Sequence, residues 1–260
     1  MPLKKYFTYH QFTIVKVFFL FITLIIAFTF IFWQNKNSFQ NNFISYIADP
    51  QKQAIHFYWK DDKQQNFKSI LNLKIWLQNN NKNLVFAMNG GMYKPDNSPQ
   101  GLYIENYKTI NTLDSTEGKG NFYLKPNGVF YITKNNLSVI CNTNNFVESS
   151  KIKYATQSGP MLLIDGQIHP AFQQNSVNVN IRNGVGVLPD NKVVFAMSKT
   201  AINFYDFANY FKSMGCKNAL YLDGLVSRTY LPEKNWTQTD GNFGVIIGII
   251  TNGKIDQRFK

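Results

Sequence analysis

The longest apolar stretch of the chain is Val17 to Trp33, VFFLFITLIIAFTFIFW, with no charge over 17 residues. Phe12 to Ile14 extend it across Lys16 toward the roughly 20 residues that span a bilayer as a helix. Lys4, Lys5 and Lys16 flank its start, whereas the far side reads QNKNSFQNN. The positive-inside rule therefore predicts residues 1–11 in the cytoplasm, 12–33 as a transmembrane signal anchor, and the remainder outside the cytoplasm, in the periplasm. A cleaved signal peptide is the rival reading. Against it, the stretch exceeds a usual h-region and ends in Phe30, Ile31, Phe32 and Trp33 rather than small residues. A buried core helix is a third reading, but it would need a cover from a domain with ample apolar sequence of its own.

Residues 34–42 are polar and rich in Asn and Gln, as in a tether, and a domain over 43–260 follows. Ile55 to Trp59 predicts a strand, and Phe67 to Leu77 has apolar residues near helical spacing. Leu84 to Met88 is a buried-strand pattern that stops at Asn89-Gly90-Gly91. Short strands and turns alternate to about Ile140, with Pro126-Asn127-Gly128 as a turn signal. Met161 to Ile168 predicts two short strands around Asp165-Gly166, and Gly184 to Met197 a hairpin turning at Pro189-Asp190-Asn191. Asn203 to Met214 sets Phe204, Phe207, Ala208 and Phe211 on one helical face, with Gly215 suited to end the helix. Ala219 to Leu222 and Val245 to Ile250 complete the strands. The pattern predicts α+β, with a single mixed, mainly antiparallel sheet and packed helices.

Composition narrows the picture. Hydrophobic residues at 44% and aromatics at 16% exclude an intrinsically disordered chain. The net charge of +12 favours anionic partners in general. Only three of the 27 basic residues are Arg, 32 positions are Asn, and no nucleic-acid module is present, so nucleic acid is not an expected partner. Cys141 and Cys216 could bridge in an oxidising compartment or stay free. His10, His56 and His169 are isolated and no CxxC occurs, which argues against structural zinc.

Four turn motifs stand at strand ends: Asn89-Gly90-Gly91-Met92-Tyr93, Gln157-Ser158-Gly159-Pro160, Arg182-Asn183-Gly184-Val185-Gly186 and Leu222-Asp223-Gly224. Glycines there let backbone approach a ligand, and the polar neighbours supply carboxylate, amide and guanidinium groups. Their order, with FAMNGGMY, GLYIEN, NFYLKPNGVF, ATQSGPMLLIDGQIHPAF, NIRNGVGV and ALYLDG, resembles the phosphodiester glycosidase domain family, over about Val85 to Ile250. The animal member of that family removes N-acetylglucosamine from the mannose-6-phosphate signal; the resemblance is nearest to its bacterial envelope branch. One departure stands out: the enzyme-like pattern continues Asp-Gly-Gly-Gly-Ser, whereas this chain reads Asp223-Gly224-Leu225-Val226-Ser227.

The resemblance implies hydrolysis of a sugar-1-phosphodiester or related envelope glycan. A phosphate monoester leaves readily, so one carboxylate and a cation can suffice where ordinary glycoside hydrolysis employs two carboxylates. The expected catalytic residues are Asp223, Glu105, at an acidic position of the family pattern, and Arg182, suited to a bidentate phosphate contact. Asn89, Gly90, Gly91, Gln157, Ser158, Gly159 and Gly224 are the expected substrate contacts, with turn-closing amides as the alternative for Asn89 and Gln157. His169 is a proton carrier or, more simply, a packed loop histidine. A divalent cation could bind through Asp223 and backbone carbonyls, although no dense oxygen-ligand motif is present. A glycan-binding envelope protein without catalysis is the rival function, favoured by Leu225 and Val226.

Overall fold

The computed structural model describes residues 39–252, together with Ile22, Ile25 and Thr29. The expected anchor and most of the tether lie outside the described residues. Among the described ones, no helix is long and apolar enough to cross a membrane. The chain divides into two units, Met1–Asn42 and Phe43–Lys260, and the second carries every described strand.

Three sheets build that unit. The first runs β1 (Phe43–Ala48), β12 (Val193–Ser198), β11 (Asn183–Val187), β13 (Asn218–Tyr221), β9 (Met161–Ile164), β10 (Gln167–Ile168). The second runs β15 (Trp236–Thr237), β14 (Thr229–Leu231), β3 (Lys82–Asn89), β16 (Ile246–Asn252), β2 (Ile55–Tyr58). The third runs β5 (Lys108–Asn111), β4 (Tyr103–Glu105), β8 (Ile152–Ser158), β6 (Gly128–Thr133), β7 (Ser138–Asn142). Every strand pair in them is antiparallel. The expected single mixed sheet is thus corrected to three antiparallel sheets. The α+β mixture holds, with few helices. Strand periodicity reports which face of a strand is buried, not which neighbour it pairs with, so the division into sheets left no mark in the pattern.

The sheets enclose one apolar core, to which the second contributes Phe57, Phe86, Met88, Ile247 and Ile249. Its other face buries Tyr58, Ala87 and Ile246 against Ile70, Leu73 and Leu77 of α1 (Ile70–Asn79). Burial on both faces explains why LVFAM reads as a continuous apolar run instead of an alternating one. Helix α1 starts three residues later than its periodicity suggests. Lys68 takes a left-handed φ of 60°, which turns the chain, and the Ser69 hydroxyl then accepts from the Asn72 amide as N-cap.

Helix α2 (Phe204–Ser213) packs on the first sheet. Asn203 caps it by accepting from the Asp206 amide, Lys212 lies in its last turn, and Gly215 at φ 89° follows its end. The glycines of β11 receive it: a Cβ on Gly184 would stand 3.2 Å from the Phe207 ring, and one on Gly186 2.7 Å from both the Phe211 ring and Cys216 Sγ. These glycines, expected to admit a ligand, admit a helix. Cys216 is buried beside them and Cys141 is half-buried on β7; both thiols are unbridged.

Gly186→Val should therefore overpack the α2 interface and cost about 1–3 kcal/mol. Urea unfolding should show a lower midpoint with an unchanged slope. An unchanged midpoint would mean that the helix does not seat on this strand as described.

Candidate functional site

Three strand ends meet where β3 stops, β11 starts and β13 runs on into Leu222 and Asp223. The joint is made by two buried amides, Asn89 and Asn183. The Asn89 Nδ2 donates to the Asp223 carbonyl at 2.6 Å, and its Oδ1 accepts from the Arg228 amide at 2.9 Å. Asn183 Nδ2 donates to the Asn89 carbonyl at 2.9 Å and to its Oδ1 at 3.1 Å. Backbone bonds continue the joint, from Gly90 N to Val245 O, Asp223 N to Gly90 O and Leu222 N to Asn183 O. Asn89 is thus a turn-closing amide whose polar atoms are engaged within the protein.

Asp223 sits on this joint, half-buried, with extended backbone. Two phenols lie within its field. Burial raises the Tyr93 hydroxyl, and the Asp223 carboxylate raises it further. Tyr221 is also raised, first by burial, with Arg182 opposing and Asp223 adding to the rise. Tyr221 therefore stands between the expected cation and the expected carboxylate. Gly224 is needed there, because a Cβ would collide with the Tyr221 hydroxyl. Gly90 and Gly91 are packing positions as well: a Cβ on the first would meet Val245, and one on the second would run into Thr156 and stand 2.6 Å from the Gln157 carbonyl.

Arg182 is 1% exposed. Its Nε donates to the Ile202 carbonyl at 2.8 Å and its Nη2 to the Asn178 carbonyl at 2.9 Å. The guanidinium carbon lies 3.6 Å from the Phe204 ring centroid, and Phe204 stacks on Phe172, which stacks on His169. Burial pulls the guanidinium below the ordinary arginine value, with Tyr221 working the other way. One edge of the fork is committed to backbone carbonyls. Nη1 is buried on the other edge, and the Tyr221 hydroxyl favours the charged guanidinium both through its charge and as a side-chain hydrogen-bond partner.

Gln157 is a structural amide. Its Oε1 accepts from the Leu102 and Asp114 amides at 3.0 and 2.9 Å, and its Nε2 donates to the Asp114 carbonyl at 2.7 Å. Ser158 is buried, its hydroxyl makes no hydrogen bond, and Gly159 packs against Asn127. His169 is the packed loop histidine: Nε2–H donates to the Lys125 carbonyl and Nδ1 accepts from the Ala171 amide, both at 3.1 Å, and burial lowers its pKa.

Glu105 belongs to a separate cluster, on the third sheet. The Tyr103 hydroxyl donates to its Oε2 at 2.7 Å, and its charge also reaches Tyr58 and Tyr154. It lines a groove of about 500 Å³ with Trp59, Lys60, Gln64, Asn106 and Lys108. Burial raises its pKa above the ordinary carboxylate value, the Tyr103 bond only partly opposing this. Among the described residues no group of three His, Cys, Asp or Glu side chains could hold a metal ion. Sequence reasoning gave no role to Asn183, Tyr93 or Tyr221. For Asn183, a buried polar residue opening a glycine-bearing strand was the available signal.

Two substitutions test these environments. A Glu105 pKa raised by burial means that the folded state holds the proton more tightly than the unfolded chain. Its contribution is complete below the unfolded pKa and is lost as pH rises through the folded one. Glu105→Gln should accordingly flatten the fall in melting temperature between acidic and neutral pH and stabilise the protein at pH 8; parallel wild-type and variant curves would refute this. Arg182→Lys should cost about 1–3 kcal/mol, by leaving the Ile202 or the Asn178 carbonyl without its guanidinium donor. Denaturant unfolding of that variant with wild-type stability would show that the guanidinium is not built into the fold.

Comparison with known proteins agrees with the motif order. Residues 82–252 match the phosphodiester glycosidase family. The uncharacterized Escherichia coli protein YigE is 37% identical over 188 residues, covering 72% of this chain and 73% of its own. Among solved structures, the catalytic domain of zebrafish N-acetylglucosamine-1-phosphodiester alpha-N-acetylglucosaminidase, auto-inhibited by its pro-peptide, aligns with a TM-score of 0.54 at 14% identity, covering 80% of this chain and 83% of that one. A putative exported protein from Burkholderia pseudomallei aligns with a TM-score of 0.53 at 9% identity, over 80% and 73%. Both structures share the fold. With two thirds of the chain matched and a relative above 30% identity, this protein belongs to the phosphodiester glycosidase family.

Proposed function

We propose that the protein is a membrane-anchored, exported hydrolase that cleaves the bond between the anomeric carbon and the phosphodiester oxygen of a sugar-1-phosphodiester in the cell envelope. The observation that carries this reading is the placement of Asp223. It stands at the end of a buried strand, its backbone fixed by the Asn89 amide, with the Tyr93 and Tyr221 hydroxyls in its field. Family membership supports the same reaction class.

In this reaction water adds to the anomeric carbon, a phosphate monoester leaves, and positive charge builds on the sugar ring between the two events. Asp223 stabilises that charge or attacks it directly, and a fixed carboxylate does so without reorganisation cost. Arg182 supplies positive potential toward the departing phosphate from behind Tyr221, since one edge of its fork is already occupied. Glu105 contacts a more remote part of the substrate in its own groove, where Trp59 offers an aromatic wall and Asn106, Gln64 and Lys108 offer polar groups. Burial keeps Glu105 protonated to a higher pH than an exposed glutamate.

The rival, glycan binding without turnover, draws on one feature: residues 224–226 form a short 3-10 turn in which Leu225 and Val226 stand where the family pattern has glycines. Asp223→Asn separates the two. The amide is nearly isosteric, so an enzyme should lose 10²-fold or more in kcat on a sugar-1-phosphodiester, of the order of other fixed electrostatic groups, with an unchanged melting temperature. Saturable binding of the same compound by wild type without release of phosphate monoester would select the binding protein instead.

A further inference from the structure

Arg182 is 1% exposed and holds two backbone carbonyls, so it reaches a substrate only through its field. A phosphodiester is an anion, and its approach to the Asp223 carboxylate calls for a cation that can touch it. Arg228 is placed for that contact. Its backbone amide donates to Asn89 Oδ1 at 2.9 Å, and the Nδ2 of the same side chain donates to the Asp223 carbonyl at 2.6 Å. One amide therefore holds the chain at both positions, and the short turn 224–226 between them returns Arg228 to the joint.

The guanidinium makes a two-point contact with Asp240, Nε to Oδ1 and Nη2 to Oδ2, each at 2.8 Å. Nη1 donates to the Ser227 carbonyl at 3.0 Å, which sets the plane of the fork. Two parallel bonds to two oxygens are also how arginine holds a phosphate, so Asp240 takes the geometry that a phosphate would use. The two side chains are 34% and 64% exposed, open to solvent and to a ligand. An ion pair this exposed adds little to stability. A phosphodiester carries one charge, as a carboxylate does, whereas the departing monoester carries about 1.5 to 2. The preference of the fork for phosphate over Asp240 therefore grows as the glycosidic bond breaks.

The segment that carries Asp240 is held without it. Leu71 N donates to the Thr239 carbonyl at 2.7 Å and Phe243 N to the Lys68 carbonyl at 2.6 Å. Asn97 Nδ2 adds bonds to the Asn242 and Phe243 carbonyls at 3.3 and 3.2 Å. Residues 240–242, between these anchors, are exposed. The segment continues into Gly244, where a Cβ would stand 2.6 Å from Tyr93 Cβ, and the Tyr93 hydroxyl lies in the field of Asp223. The pair is thus tied on one side to the turn that follows Asp223 and on the other to the segment that packs on Tyr93.

We propose that Arg228 is the phosphate-binding residue of the candidate site, and that Asp240 holds its fork in the place of the phosphate until substrate displaces it. The assignment deepens the hydrolase reading above and rests on it for the identity of the anion. Substrate entry exchanges one anion for another on the same two donors, and Asp240 returns when the product leaves.

The test titrates the full chain calorimetrically with methyl phosphate, the simplest member of the monoester class that the reaction releases. Arg228→Gln should weaken binding by about tenfold or more, as for the loss of a charge-assisted pair, and Asp240→Asn should tighten it. In the Arg228→Gln background, Asp240→Asn should bring no gain. A pair that only braces the fold predicts weaker binding and a lower melting temperature from both substitutions. The sign of the Asp240→Asn effect therefore decides even if Arg228→Gln fails to fold. Equal gains from Asp240→Asn with and without Arg228 would mean long-range charge alone. Either of these results, or binding by neither wild type nor Asp240→Asn, would overturn the proposal. Turnover separates its failure from that of the hydrolase reading. Wild type that binds methyl phosphate as described but leaves a sugar-1-phosphodiester intact would refute the hydrolase and uphold the anion grip of Arg228. Turnover with KM unchanged in Arg228→Gln would refute the grip and uphold the hydrolase.

Discussion

The side-chain amide of Asn89 is the interaction on which the site geometry depends. It joins a strand end of the second sheet to the carbonyl of Asp223 and, with Asn183, to the strand ends of the first. Sheets that pack face to face through apolar contacts can slide, because apolar attraction is non-directional. Hydrogen bonds between buried groups cannot, since a displaced donor or acceptor is left unsatisfied at about 1–3 kcal/mol each. The position of the Asp223 backbone is thus set by a directional bond placed where the sheets meet.

Around this joint, polar residues that look available in sequence are occupied. Gln157 closes the 102–114 segment, and Arg182 fastens the Asn178 and Ile202 segments while capping a stack of rings. The polar chemistry left at the joint is that of Asp223 with Tyr93 and Tyr221, whose hydroxyls burial and that carboxylate hold above the ordinary phenol value. A rigid frame spends most of its polar groups on itself.

Much of this was legible in the chain. LVFAM ended at Asn89 as a buried strand should, the 184–197 hairpin turned at Pro189-Asp190-Asn191, and α2 ran between its Asn cap and Gly215. Strand β1 escaped because FISYIA follows a polar tether and gave no turn signal of its own beyond the start of a domain. Asp223 was found as a carboxylate at a strand end, which local pattern displays. The commitment of Arg182 to carbonyls at 178 and 202, and the separation of Glu105 into its own aromatic cluster, follow from pairings between distant strands, which no local window contains.

The two unbridged cysteines bear on the reactivity of the folded domain. Burial pushes the Cys141 thiol up to about 11 and the Cys216 thiol up to about 12. Disulfide exchange requires a thiolate, and at neutral pH neither sulfur supplies more than a trace of one. In the folded domain both sulfurs are therefore poor partners for disulfide exchange.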